Sequence, residues 1–110
     1  MIKRLMVFRL KPGTDPEEFW KHWCEEHGPL YANRCGKYLR KYVVNRVIEV
    51  VKGEPVVWGV VETWWKNKEE YAKAEETPAA KAAKATPGSR YFGEHIEGGF
   101  NAWIEEKQIK

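Results

Sequence analysis

Cysteine is scarce in this chain: Cys24 and Cys35 are the only two. They form neither a Cys-x-x-Cys pair nor a disulfide framework, which excludes the stapled secreted scaffolds and points to a reducing compartment, the cytoplasm. The three histidines share no ligand spacing with them, so no metal site is expected. Long hydrophobic runs are also missing. None approaches the roughly 20 residues of a membrane span, and the first residues lack the apolar stretch of a signal peptide, so no membrane partner is expected. An excess of one charge is absent too. The 19 basic and 16 acidic residues leave +3, spread along the chain, which is too balanced for a nucleic-acid footprint. The local excess at Arg34, Lys37, Arg40, Lys41 and Arg46 reads first as a solvated strand face, with a site for an acidic small molecule as the alternative.

Tryptophan, by contrast, is abundant. Trp20, Trp23, Trp58, Trp64, Trp65 and Trp103 each bury a large ring or offer it to a partner, which implies an aromatic-lined cavity, a subunit interface, or both. At 110 residues the chain, taken as one domain over 1–110, buries roughly two thirds of its unfolded surface and folds without staples.

Residues 2–10 read as a first strand, ended by Lys11-Pro12-Gly13. Asp15 then makes an N-cap, with Pro16 at the first helical position and Glu18 completing a capping box. The helix is expected over residues 16–27, to kink at Gly28-Pro29, and to resume as a short turn through residues 30–34. Residues 38–51 and 56–65 read as strands two and three around the turn Lys52-Gly53-Glu54-Pro55. Asn67 and Glu70 repeat the capping box and open a second helix near Lys68. Thr77-Pro78 interrupts it before the alanine-lysine piece at 79–85. Residues 90–97 read as an irregular approach to a last strand at 100–107. The order β-α-β-β-α-β is that of an α+β, ferredoxin-like plait: a four-stranded antiparallel sheet with helices on one face. The open face, expected to carry Trp58, Trp64 or Trp65, and Trp103, calls for a covering partner, and dimerisation through the sheets supplies one.

The most informative segment is the first helix. At about 100° per residue, Phe19, Trp20, Trp23, Cys24, His27, Leu30 and Tyr31 fall within one half of the wheel, so His27 points where Trp23 points, into core or pocket. Cys24 reads as a structural thiol on that stripe, and His22 as solvated. Strand one ending in Lys11-Pro12-Gly13, then Glu17-Glu18-Phe19, Trp23, His27-x-Pro29-Leu30 and Lys41-Tyr42, resembles the EthD-like branch of the dimeric α/β-barrel superfamily. The resemblance is clearest over residues 2–47. It implies a homodimer whose sheets close into a barrel, with a pocket in each subunit. It also implies cofactor-free chemistry of the muconolactone isomerase, polyketide cyclase or polyketide decarboxylase kind, on a small aromatic, polyketide-like or lactone ligand.

In isomerase-type members the helix-one histidine and a strand-two tyrosine sit in the pocket. This carries over to His27 as base or acid and to Tyr42 as oxyanion donor, with Tyr38 as a rival phenol. An imidazole suits this chemistry because its ordinary pKa lies near 6.5, and burial beside Trp23 favours its neutral, basic form. The competing reading of His27 is a core histidine bonded to a carbonyl, and of Tyr42 an ordinary strand residue. His95 becomes a second acid or base if its segment folds over the pocket mouth. Arg40, sharing strand parity with Tyr38 and Tyr42, would grip a carboxylate if that face is inward. Trp23, Trp58, Trp64, Phe100 and Trp103 would supply flat walls. Two other functions stay open: a haem-binding monooxygenase or peroxidase of the same superfamily, and a non-catalytic ligand-binding or redesigned scaffold protein.

Overall fold

An apolar strand is stable when both its edges are paired and one face is covered, and the first strand meets all three conditions. The structure is a computed structural model that describes residues 1–84 and 86–110. In it β1 (Ile2–Leu10) lies inside a four-stranded sheet of order β2-β3-β1-β4, with β2 at Leu39–Arg46, β3 at Gly59–Trp65 and β4 at Ile96–Ile104. Every neighbouring pair is antiparallel. This is the ferredoxin-like α+β arrangement. The helices α1 (Pro16–His22), α2 (Gly28–Cys35), α3 (Lys68–Glu76), α4 (Pro78–Lys84) and α5 (Pro87–Glu94) complete it. Among the described residues no helix is long and apolar enough to cross a membrane.

Both sequence-predicted caps form. The Asp15 carboxylate accepts from the backbone N–H groups of Glu17 and Glu18, and the Asn67 amide oxygen accepts from that of Glu70. The expected kink at Pro29 does not. The chain instead crosses residues Trp23–His27 as a π-helical turn, in which the Gly28 N–H reaches back five residues to the Trp23 carbonyl. The widened turn places Pro29 at the start of α2, where a missing N–H costs nothing, so helix continues to Cys35. It also turns Cys24 out to an exposed position, correcting its reading as a buried thiol; Cys35 is the buried one.

Strand parity divides the sheet. Ile2, Met6 and Phe8 pack under the helices, and the registers place Val44, Val61, Trp65 and Trp103 on the same face. One core cluster joins Phe8, Phe19, Trp23 and Phe92; the other joins Cys35, Trp65 and Ala74. Trp58 packs against the first and Trp103 against the second, so of the tryptophans expected on the open face only Trp64 occupies it.

Three strands differ from their expected bounds, β3 by beginning at Gly59 instead of residue 56. β2 stops at Arg46; beyond it the Val47 N–H still donates to the Trp58 carbonyl at 2.7 Å, while Ile48, Val51 and Val56 stay exposed. β4 begins at Ile96 because the strand runs through Gly98 and Gly99, both at positive φ, as a bulge opposite Val7 and Arg9. Residues 87–94, expected to be partly irregular, form α5, capped by the Thr86 hydroxyl accepting from the Ser89 N–H. Residue 85, the end of the alanine-lysine piece, lies outside the described residues.

Candidate functional site

Where the two core clusters meet, side chains of the sheet and helices leave a cavity of about 260 Å³. His27, at the end of the π-helical turn, and Tyr42, on the inner face of β2, both line it. His27 lies flat against Phe92, ring centroids 4.1 Å apart and planes 2° from parallel, so α5 holds its orientation. Its Nδ1 is buried with no hydrogen-bond partner. That is uncommon for a buried ring nitrogen, and it is as the lining of the cavity that the imidazole meets a ligand. Burial lowers the His27 pKa from 6.5 to about 4, with His22 and the Arg34 guanidinium adding to the shift, so the imidazole is neutral at physiological pH.

This shift has a consequence for acid stability. Between pH 6.5 and about 4 the unfolded chain takes up a proton at His27 that the folded chain refuses. The contribution is therefore complete above pH 6.5 and is lost as the pH falls through 4. Denaturant titrations should show the wild type losing up to about 3 kcal/mol more than His27→Gln across that window. Equal losses would place the His27 pKa near its ordinary value.

Tyr42 packs against Tyr31, ring centroids 5.4 Å apart. A Cβ added at Gly28 would lie 2.9 Å from the Trp23 carbonyl oxygen, so the π-helical turn closes best on a bare backbone, and 3.5 Å from the Tyr42 ring, an ordinary contact. Burial pushes Tyr42 up to about 12, partly offset by the Trp23 indole N–H, and raises Tyr31 further still. Both phenols therefore stay protonated and serve as neutral donors. Thr63 and Asn101 also line the cavity from the sheet. The buried Thr63 hydroxyl accepts from Trp65 Nε1 at 2.8 Å, which leaves its own proton free to donate.

The remaining sequence-predicted residues lie elsewhere. A bulge between Leu39 and Lys41 makes Arg40 the extra residue of β2, so its parity with Tyr42 is broken; it is exposed and 3.9 Å from Glu70. Tyr38 sits in the 3-10 turn before β2, beside the second core cluster. Trp23 is fully buried behind the cavity wall, and Trp58 packs with it. Trp64 and Phe100 belong to the opposite sheet face, and Trp103 borders Tyr71 rather than the cavity. His95 is turned back on α5, its Nδ1 2.7 Å from the Tyr91 carbonyl oxygen and its ring 4.1 Å from the Tyr91 ring. His22, read as solvated, has a side chain only 13% exposed and pairs with Glu26 at 2.6 Å. The basic cluster is largely engaged at home: Arg34 lies 3.5 Å from Glu75, and Arg46 lies 2.9 Å from Glu17.

Sequence reasoning passed over Arg4, Tyr31, Thr63, Tyr71, Glu75 and Asn101, all cavity-lining. Arg4 had a readable signal, since it shares a face of β1 with Ile2, Met6 and Phe8. Among the described residues no cluster of three His, Cys, Asp or Glu could hold a metal ion.

A ferredoxin-like α+β fold with a half-polar cavity between sheet and helices is the class these features define. The EthD domain matches residues 11–92, and the chain belongs to the EthD family. Solved structures agree on the fold. An ethyl tert-butyl ether D family protein from Bacillus halodurans is 24% identical, with 97% of this chain and 100% of that one covered and a TM-score of 0.69. A dimeric ferredoxin-like protein of unknown function from Thermobifida fusca is 13% identical over 94% and 88% of the two chains, TM-score 0.68. SnoaB, a cofactor-independent oxygenase from Streptomyces nogalater solved as a mutant, is 11% identical over 98% and 94%, TM-score 0.65. No curated protein matches the chain by sequence.

Proposed function

We propose that this chain is a cofactor-independent enzyme that moves a proton on a ring-bearing small molecule, in a cyclisation, isomerisation or decarboxylation. His27 is the base and Tyr42 donates a hydrogen bond to the developing oxyanion. The observation that carries this reading is a neutral imidazole and a protonated phenol, His27 and Tyr42, lining one cavity. A neutral imidazole takes a proton from a phenol or from a carbon next to a carbonyl, and protonated phenols stabilise the resulting enolate where water is excluded. Deuterium incorporation from D2O next to the carbonyl of an aryl ketone or a lactone tests the step without knowledge of the final product. No exchange above the buffer rate on any such probe would end the proposal.

The haem reading fits the residues poorly. The His27 ring is covered on one face by Phe92, and 260 Å³ is too little for a porphyrin.

The protein works as a homodimer through its helix-free sheet face. Support comes from the row Val60, Val7 and Phe100 that the register lays across that face, with Phe100 54% exposed, and from the dimeric relative. Light scattering should give twice the chain mass for the wild type and a monomer for Phe100→Asp. A monomeric wild type would refute the assembly.

A further inference from the structure

The cavity holds a cation that the proton-transfer chemistry does not use. Arg4 lies on the inner face of β1, opposite Thr63 on one side and Trp103 on the other. Its guanidinium stacks over two rings, 4.5 Å from the centroid of Tyr71 and 5.1 Å from that of Trp103. The two rings meet edge to face, centroids 5.2 Å apart and planes at 89°, so they form a fixed corner around it. Among the described residues no carboxylate lies within ion-pair distance of Arg4. Glu75, the one carboxylate among the described lining residues, is already matched by Arg34 at 3.5 Å and Lys84 at 2.8 Å. With His27 neutral, Arg4 is thus a preorganised positive charge at the cavity wall whose partner must come from outside.

Volume bounds what that partner is attached to. Roughly 150 Å³ of apolar cavity suffices for benzene. Drug-sized ligands take roughly 300–1,000 Å³. At about 260 Å³ the cavity has room for one substituted ring. The stacked His27 and Phe92 rings and the apolar side chains of Met6 and Val61 give it flat, greasy walls.

We infer that the cavity selects a single-ring ligand bearing one carboxylate, which Arg4 holds through its planar fork while the ring lies against the His27–Phe92 pair. A carboxylate matches a lone guanidinium in charge and in geometry, two oxygens to two N–H groups. The ring faces behind Arg4 hold the fork in place before the ligand arrives, so little side-chain freedom is lost on binding. This deepens the proton-transfer reading and rests on it for identifying the cavity as the working site.

Titration calorimetry at pH 7 with benzoate and its neutral isostere benzamide tests the charge requirement on the unaltered protein. Benzoate should bind about tenfold or more tightly. Arg4→Met should remove that preference while benzamide affinity moves less than about twofold. Arg4→Gln serves if the methionine variant fails to fold. Equal binding of the two probes by the wild type, or a preference that survives in a folded Arg4 variant, would overturn the inference. A missing benzoate preference alongside deuterium exchange on neutral ketones would sink this inference and leave the proton-transfer reading intact. Benzoate selectivity without exchange on any probe would do the reverse.

Discussion

Replacing His27 with alanine is expected to slow deuterium exchange on an enolisable ring substrate by about 100- to 10,000-fold, the usual contribution of a positioned general base. The expectation comes from geometry before acidity. The imidazole is clamped against Phe92 and its Nδ1 has no protein partner to lose, so the native hydrogen-bond network should survive the truncation. What disappears is the proton acceptor beside the cavity. Circular dichroism and the melting transition establish that the variant is folded. Exchange at the wild-type rate in a folded His27→Ala protein would remove His27 from the mechanism and leave it as a core residue.

The pH profile adds a signature that a packing role would not produce. In the free protein His27 titrates at about 4, so kcat/KM should be flat at neutral pH and fall only as the pH drops through that value. A base of so low a pKa is weak. An anionic substrate beside it opposes the desolvation that depresses it, because a negative neighbour favours the imidazolium. The profile of kcat, which reports the bound complex, should therefore turn at a higher pH than that of kcat/KM when the substrate carries a carboxylate, and at the same pH when it is neutral. The same group that binds the ring would then strengthen the base.

What could be read in advance followed from interactions close in sequence. Asp15 and Asn67 cap their helices with N–H groups two or three residues away, so the helix starts are written locally. The helical stripe that directed His27 inward also rests on local spacing. The features missed depend on partners far along the chain. Arg4 looks like a strand cation until Tyr71 from α3 and Trp103 from β4 close around it. Arg40 shares the parity of Tyr42 on paper, and only pairing with β3 makes it the bulged residue. The kink expected at Gly28-Pro29 was overridden because a single π-helical turn absorbs the missing N–H. That turn, like many of its kind, lies at the candidate site.

The bulge in β4 carries the largest stability prediction: Gly99→Ala should cost about 4 kcal/mol and shift the denaturant midpoint accordingly. Gly99 sits at φ +75°, a region that alanine enters with strain, and an added Cβ would overlap the Val7 carbonyl. Val7 is central to the sheet, paired to β3 through Val60 and to β4 through Phe100, so its backbone has nowhere to retreat. The consequence reaches the site. Ile96 packs against the first core cluster and Asn101 lines the cavity, although five residues apart on a regular strand would put them on opposite faces. The extra residue at Gly98-Gly99 brings both to the inner face. If Gly99→Ala unfolds at the wild-type midpoint, the strand is not bulged there and Asn101 would have to face the other side of the sheet. If the midpoint falls as expected, the surviving folded fraction should also bind benzoate more weakly, because the register that presents Asn101 and Trp103 around Arg4 depends on that one inserted residue.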